Sequence, residues 1–184
     1  MYDNETLPEY LDQIENLKDA KDYDGALRFA EGCLSKNIDD YRLYEEVADI
    51  YLYKNEPDKA LDAALYAQKL FPESATGQYL LGYIAVTKGD WLEGVRLLEK
   101  SNGLQPNNPE VLRNLGWAYV QVAEHKKGII ILKRGLNLAP DDDLIMEDLG
   151  MALLADGDYY GGAMWLKKAG KDSRLEEYRG KMGM

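Results

Sequence analysis

Apolar and small positions recur along this chain at a fixed interval of 34 residues. Val47, Leu81, Leu115 and Leu149 each precede a small residue, Ala48, Gly82, Gly116 and Gly150. A second small series, Ala26, Ala60, Gly94, Gly128 and Gly162, keeps the same interval, and a third follows seven residues later at Cys33, Ala67, Ser101, Gly135 and Ala169. A glycine inside a helix costs about 1 kcal/mol relative to alanine, so its return at a fixed spacing calls for a compensating close helix crossing. The pattern predicts helical hairpins, with the apolar-small pair in the middle of each first helix and the other two small columns on each second helix.

The punctuation between these segments keeps the same period. Pro72, Pro106 and Pro140 stand 34 apart, each two residues after an apolar position, Leu70, Leu104 and Leu138, where proline stops the second helix. Short turns at Lys21-Asp22, Asn55-Glu56, Gly89-Asp90 and Gly157-Asp158 separate the two helices of a unit, and each is followed by a wedge residue, Tyr23, Pro57, Trp91 or Tyr159. Glu124-His125 holds that place in the fourth unit.

A helix-turn-helix of this length with these small, leucine, glycine and proline columns resembles the tetratricopeptide repeat family. The resemblance spans residues 7 to 176 in units of approximately 7–40, 41–74, 75–108, 109–142 and 143–176. It is strongest in the third and fourth units and weakest in the first, where Gln13 and Ile14 replace the leucine-glycine pair and Ile38 replaces the proline. It implies an all-α fold, a right-handed α-solenoid of antiparallel helix hairpins forming one superhelical domain over residues 1–184. Ser173-Arg174-Leu175-Glu176 has the form of a capping box, which predicts a short terminal helix over about 174–179 that Gly180 ends. A cap this small leaves the last hairpin apolar, so self-association of the repeat ends with a second copy is an alternative role.

Charge narrows the partners. The 184 residues carry 33 acids against 22 bases, a net charge of −11, which disfavours phosphate backbones and anionic bilayers. Nucleic acid and membrane are accordingly not expected as partners. Residues 1–74 alone hold 18 acids and 8 bases, a charge that serves solubility or steers a basic partner. The start MYDNETLPEY has neither a basic nor an apolar stretch, and no window approaches the roughly 18 apolar residues of a membrane span. With one cysteine, Cys33, no internal disulfide can form. The expected location is cytoplasmic.

No catalytic constellation emerges. Cys33 and His125 stand 92 residues apart, in units that a solenoid does not bring together. Cys33 belongs to a packing column, and His125 to a turn. There is no CxxC, no second histidine and no GxxxxGK, and Asp141-Asp142-Asp143 sits where a helix cap belongs. The chain is expected not to be an enzyme and to need no cofactor or metal.

In the family it resembles, the first helix of each unit lines a concave groove that holds a peptide. Carried onto this chain, residues four apart on one helix face put Leu11 and Glu15, then Glu45, Asp49 and Tyr53, Tyr79 and Tyr83, Arg113, Trp117 and Gln121, and Glu147 and Met151 in that groove. Glu46, Leu80, Asn114 and Asp148 lie one ridge further round. The basic clamp that some members use for a chaperone's C-terminal carboxylate is not present, since only Asn114 matches it. An aromatic centre, Tyr79, Tyr83 and Trp117, stands beside Arg113 and Asn114 and is bordered by Glu45, Glu46, Asp49, Glu147 and Asp148. Tyrosine, tryptophan and arginine are the usual anchors of interfaces. The resemblance therefore implies a protein-protein interaction module, an adaptor, scaffold or chaperone-like protein, whose ligand is a basic protein or peptide segment with apolar anchors.

Overall fold

The structure, a computed structural model, describes residues 6–35 and 40–183. The first five residues and Ile38, expected at the proline position of the first unit, lie outside the described residues. Eleven helices follow one another and no strand occurs among the described residues. They are α1 (Leu7–Asp19), α2 (Tyr23–Ser35), α3 (Tyr41–Tyr53), α4 (Pro57–Leu70), α5 (Ala75–Thr87), α6 (Trp91–Leu104), α7 (Pro109–Gln121), α8 (His125–Leu138), α9 (Asp143–Ala155), α10 (Tyr159–Lys168) and α11 (Asp172–Met182). None of them is long and apolar enough to cross a membrane.

Local chemistry accounts for where the helices start and stop. Each turn within a hairpin contains one residue of left-handed backbone, Lys21, Asn55, Gly89, Ala123 or Gly157, again 34 apart. The next residue sends its N–H back across the turn, as Asp22 does to the Leu17 carbonyl and Asp158 to the Leu153 carbonyl. This closure satisfies carbonyls that the helix end would otherwise leave unpaired. First helices are capped by a short polar side chain. Asp40 accepts from the Arg42 N–H, Asn108 from the N–H groups of Glu110 and Val111, and Asp142 from those of Leu144 and Ile145. The central acid of Asp141-Asp142-Asp143 is thus a helix cap, worth about 1 kcal/mol.

The chain forms two compact units, one up to Ile84 and one from Ala85, with the division inside α5. In the first unit, α1 packs on α2, α2 on α3 and α3 on α4, and α1 also touches α3. Its core joins Tyr10, Ile14, Ala26, Ala30, Cys33, Leu43, Val47 and Ile50. In the second, α6 packs on α7, α7 on α8, α8 on α9, α9 on α10 and α10 on α11, with α7 touching α9. Its main core includes Ile129, Leu132, Leu136, Ile145, Met146 and Leu149.

The glycine columns are contact points between helices. A methyl group on Gly116 would lie 2.6 Å from Leu132 Cγ and 3.1 Å from the Gly128 carbonyl oxygen. One period later, a methyl group on Gly150 would lie 2.8 Å from Leu166 Cγ and 3.1 Å from the Gly162 oxygen. In the first unit Ala48 and Ala60 take these places, fully buried. The terminal helix is longer than the expected 174–179: it starts after Lys171, runs eleven residues through Gly180 to Met182, and is capped by Gly183. Leu175 joins Leu154 and Leu166, and the Tyr178 hydroxyl donates to the Leu154 carbonyl at 3.0 Å.

A methyl group on Gly128 would stand 2.7 Å from both the Gly116 carbonyl oxygen and Val120 Cγ2, so Gly128→Ala should lower the stability of the second unit by about 1–2 kcal/mol despite alanine's better helix propensity. Gly32→Ala, where a methyl group meets nothing within 4 Å, should raise stability by about 0.5–1 kcal/mol. Urea midpoints of the two variants should therefore move in opposite directions.

Candidate functional site

The first helices carry every residue of the expected interaction face, and each unit holds its own share. In the first unit these are Glu45, Glu46, Asp49 and Tyr53 on α3, with Tyr79 and Tyr83 on α5. The pair of first helices α1 and α3 is joined through Lys18, in the last turn of α1. Its Nζ lies 2.8 Å from Glu15, 2.8 Å from Glu46 and 2.7 Å from Asp49, and only 9% of its side chain is exposed. One ammonium thus serves three carboxylates. Burial by itself would lower the pKa of Lys18, but hydrogen bonds to Asp49, Glu15 and Glu46 outweigh it and hold it above the ordinary value. Burial pushes the Glu46 carboxyl upward, and Lys18 offsets that only in part. Glu46 therefore holds its proton more readily than a free carboxylate, chiefly through burial and to a smaller extent through the neighbouring acids Asp49 and Glu15.

Glu45 behaves differently. It is 6% exposed and turned toward the start of α5, where a methyl group on Gly77 would sit 2.9 Å from its Oε1. Burial raises its pKa, against weaker opposing contributions from the Ser74 side chain and the Gly77 N–H. The Oε1 atom itself has no well-formed hydrogen bond. Tyr53, 57% exposed, stacks on Tyr23 with ring centroids 5.1 Å apart and planes 6° from parallel. Tyr79 and Tyr83, both half-buried, bring their rings to 6.1 Å.

In the second unit α7 carries Arg113, Asn114, Trp117 and Gln121, and α9 carries Glu147 and Asp148. Arg113 Nε donates to Asp148 Oδ2 at 2.8 Å, across the contact between α7 and α9. Burial raises the Asp148 pKa, and Arg113 pulls it back only in part. Trp117, one turn after Arg113, is half-buried and packed against the core that α8 and α9 supply. Asn114 is 7% exposed and its Nδ2 donates to the Glu110 carbonyl at 3.0 Å, so its amide is committed within its own helix. Gln121 is exposed at the end of α7. Glu147 is 8% exposed and takes Lys171 at 3.0 Å and Arg174 at 2.7 Å. Burial would raise its pKa, but Arg174 and Lys171 hold it below the ordinary carboxylate value.

Four of the border acids, Glu46, Asp49, Glu147 and Asp148, are therefore partners of bases on adjoining segments, and Glu45 is not. The sequence reading singled out the acids but missed Lys18, Lys171 and Arg174. One signal was available: the charges of Lys18 and Asp49, of Arg113 and Asp148, and of Glu147 and Arg174 are opposite and lie roughly one period apart. Such spacing places two residues at neighbouring first-helix positions, but it does not say whether the side chains turn toward each other. Cys33 is buried in the core of the first unit, and His125 is the first residue of α8 in the second.

No protein-family model matches the chain, and no curated protein matches it in sequence. Solved structures do share its fold. "Crystal structure of MamA protein" superposes with a TM-score of 0.69 at 20% identity, over 96% of this chain and 95% of that one. "MamA 41-end from Desulfovibrio magneticus RS-1" does so with a TM-score of 0.73 at 18% identity, over 92% and 94%.

Lys18→Met should destabilise the first unit by about 3 kcal/mol, because it leaves Glu46 and Asp49 part-buried without their cation; thermal or urea unfolding measures this. Glu45 gives the opposite sign. The folded chain holds the Glu45 proton more firmly than the unfolded chain does. Its contribution to stability is therefore largest at low pH and is lost as pH rises above the ordinary carboxylate range. Glu45→Gln should be the more stable protein at pH 7, with a shallower decline in urea midpoint between about pH 4.5 and 7.

Proposed function

We propose that this chain is a protein-interaction scaffold, and that the first-helix face of each unit binds a segment of another protein. The observation that carries this reading is the pairing on α7 of a half-buried tryptophan with an arginine one turn away. Trp117 is packed against the core yet only partly buried, while Arg113 is held in place by Asp148. A large aromatic side chain already fixed in position loses little conformational freedom on binding, which favours it as an anchor. The half-buried pair Tyr79 and Tyr83 supports the same reading in the first unit. The shared fold with MamA is consistent with it, and the fold alone does not choose among functions.

The ligand chemistry differs between the two faces. Glu15, Glu46 and Asp49 outnumber the single Lys18 among them, which favours a segment carrying lysine or arginine on the first unit. In the second unit Glu147 and Asp148 already have their own cations, which favours recognition through apolar or aromatic side chains around Trp117. End-to-end self-association has less to recommend it, because α11 already covers apolar surface of the α9–α10 hairpin through Leu175 and Tyr178.

Affinity capture from lysate of the source cell, with wild type and Trp117→Ala side by side, followed by titration of the captured segment, tests the reading. Trp117→Ala should weaken binding by about 2 kcal/mol, roughly thirtyfold in Kd, with helical circular dichroism retained. Equal affinity in the folded variant would remove Trp117 from the binding face.

A further inference from the structure

Two second helices of the second unit, α8 and α10, carry a charge opposite to that of the chain as a whole. α8 contains Lys126, Lys127, Lys133 and Arg134 and no acid at all. α10 ends in Lys167 and Lys168, also with no acid between Tyr159 and its last residue. The first helix packed between them, α9, carries Asp143, Glu147 and Asp148. From α8 to α10 charge thus alternates by helix, whereas α6 and α7 each carry acids and bases in equal number.

Equivalent positions on α8 and α10, 34 residues apart, form matching exposed stripes. Lys126, Ile130 and Lys133 follow one another at steps of four and three on α8, and Tyr160, Met164 and Lys167 do the same on α10. Such steps keep three side chains on one face, over about 10 Å of helix. Ile130 is 66% exposed, Met164 51% and Tyr160 84%. Lys126, Lys133 and Lys167 are exposed and have no carboxylate partner among the described residues. A row of unpaired ammonium groups around bare apolar side chains supplies both charge and contact area to an incoming segment.

We infer that the outer faces of α8 and α10 form a second docking surface, distinct from the first-helix face, for an acidic protein segment with apolar side chains. Glutamates or aspartates of that segment pair with Lys126, Lys133 and Lys167, and its apolar side chains cover Ile130 and Met164. A narrow segment fits better than an anionic bilayer. The basic stripes are bounded at one end by Glu124 and Asp158, which precede α8 and α10, and at the other by Asp141 and Asp143 after α8. A flat anionic surface meets these acids together with the lysines, and at physiological salt charges interact over only about 8 Å. A narrow segment lying along the stripes meets the lysines and the apolar side chains and leaves the flanking acids in solvent. Phosphate backbones make no use of Ile130 and Met164.

The test uses the full chain and a fluorescein-labelled amphipathic peptide with glutamates and leucines on one helical face, followed by fluorescence anisotropy. Wild type should bind it, with affinity falling as salt is raised from about 50 to about 300 mM. Lys126→Glu/Lys133→Glu should weaken binding at least about tenfold, and Ile130→Asp should also weaken it, while Trp117→Ala leaves it unchanged. The neutral pair Lys126→Gln/Lys133→Gln, with helical circular dichroism retained, should give an intermediate loss. Absence of binding, equal binding by the charge-reversed and wild-type chains, or loss on Trp117→Ala alone would overturn the inference. So would tighter binding to phosphatidylserine-containing vesicles or to duplex DNA than to the peptide.

Discussion

The architecture depends on how closely the two helices of a hairpin approach. At Gly116 against Gly128, and again at Gly150 against Gly162, one backbone carbonyl occupies the space where the other helix would place a methyl group. Leu132 and Leu166 fill the remaining gap from the second helix. Because the backbones are this close, the three-residue turn can close with one residue in left-handed geometry and a hydrogen bond back across the helix end. The 34-residue period is the sequence trace of this repeated contact. Buried alanines hold the corresponding places in the first unit.

Once first helices lie side by side within a unit, their acidic side chains fall within reach of bases on the neighbouring helix. Lys18 reaches α3, Arg113 reaches α9, and Lys171 and Arg174 close on Glu147. A carboxylate that is part-buried on such a face is costly unless it is paired, and the bases offset that cost fully at Glu147 and in part at Glu46 and Asp148. At Glu45 it is met less completely, and the carboxyl holds its proton more tightly as a result. The same contacts leave Trp117 partly exposed above the core while neutralising the charges around it.

The second helices answer to a different constraint. Their inner faces carry the small and leucine positions that the crossing requires, while their outer faces are free to vary. On α8 and α10 that freedom has gone to lysine, arginine and exposed apolar residues. An acidic chain thereby presents a local basic surface that net charge does not reveal.

Sequence by itself determined the helical hairpins, their period, the turns at Lys21, Asn55, Gly89 and Gly157, and the close-packed small columns. These features depend on backbone geometry within a few residues, or on the absence of a side chain, and both leave a mark at a fixed position in each unit. Tertiary structure alone decided which acids are charged neighbours of which bases, that the Asn114 amide turns to the Glu110 carbonyl, and that the terminal helix extends to eleven residues around Leu175. Those outcomes are set by the direction in which long side chains leave two helices that meet across 27 to 35 residues of chain. A rotamer choice of that kind follows from packing, and one sequence carries no record of it.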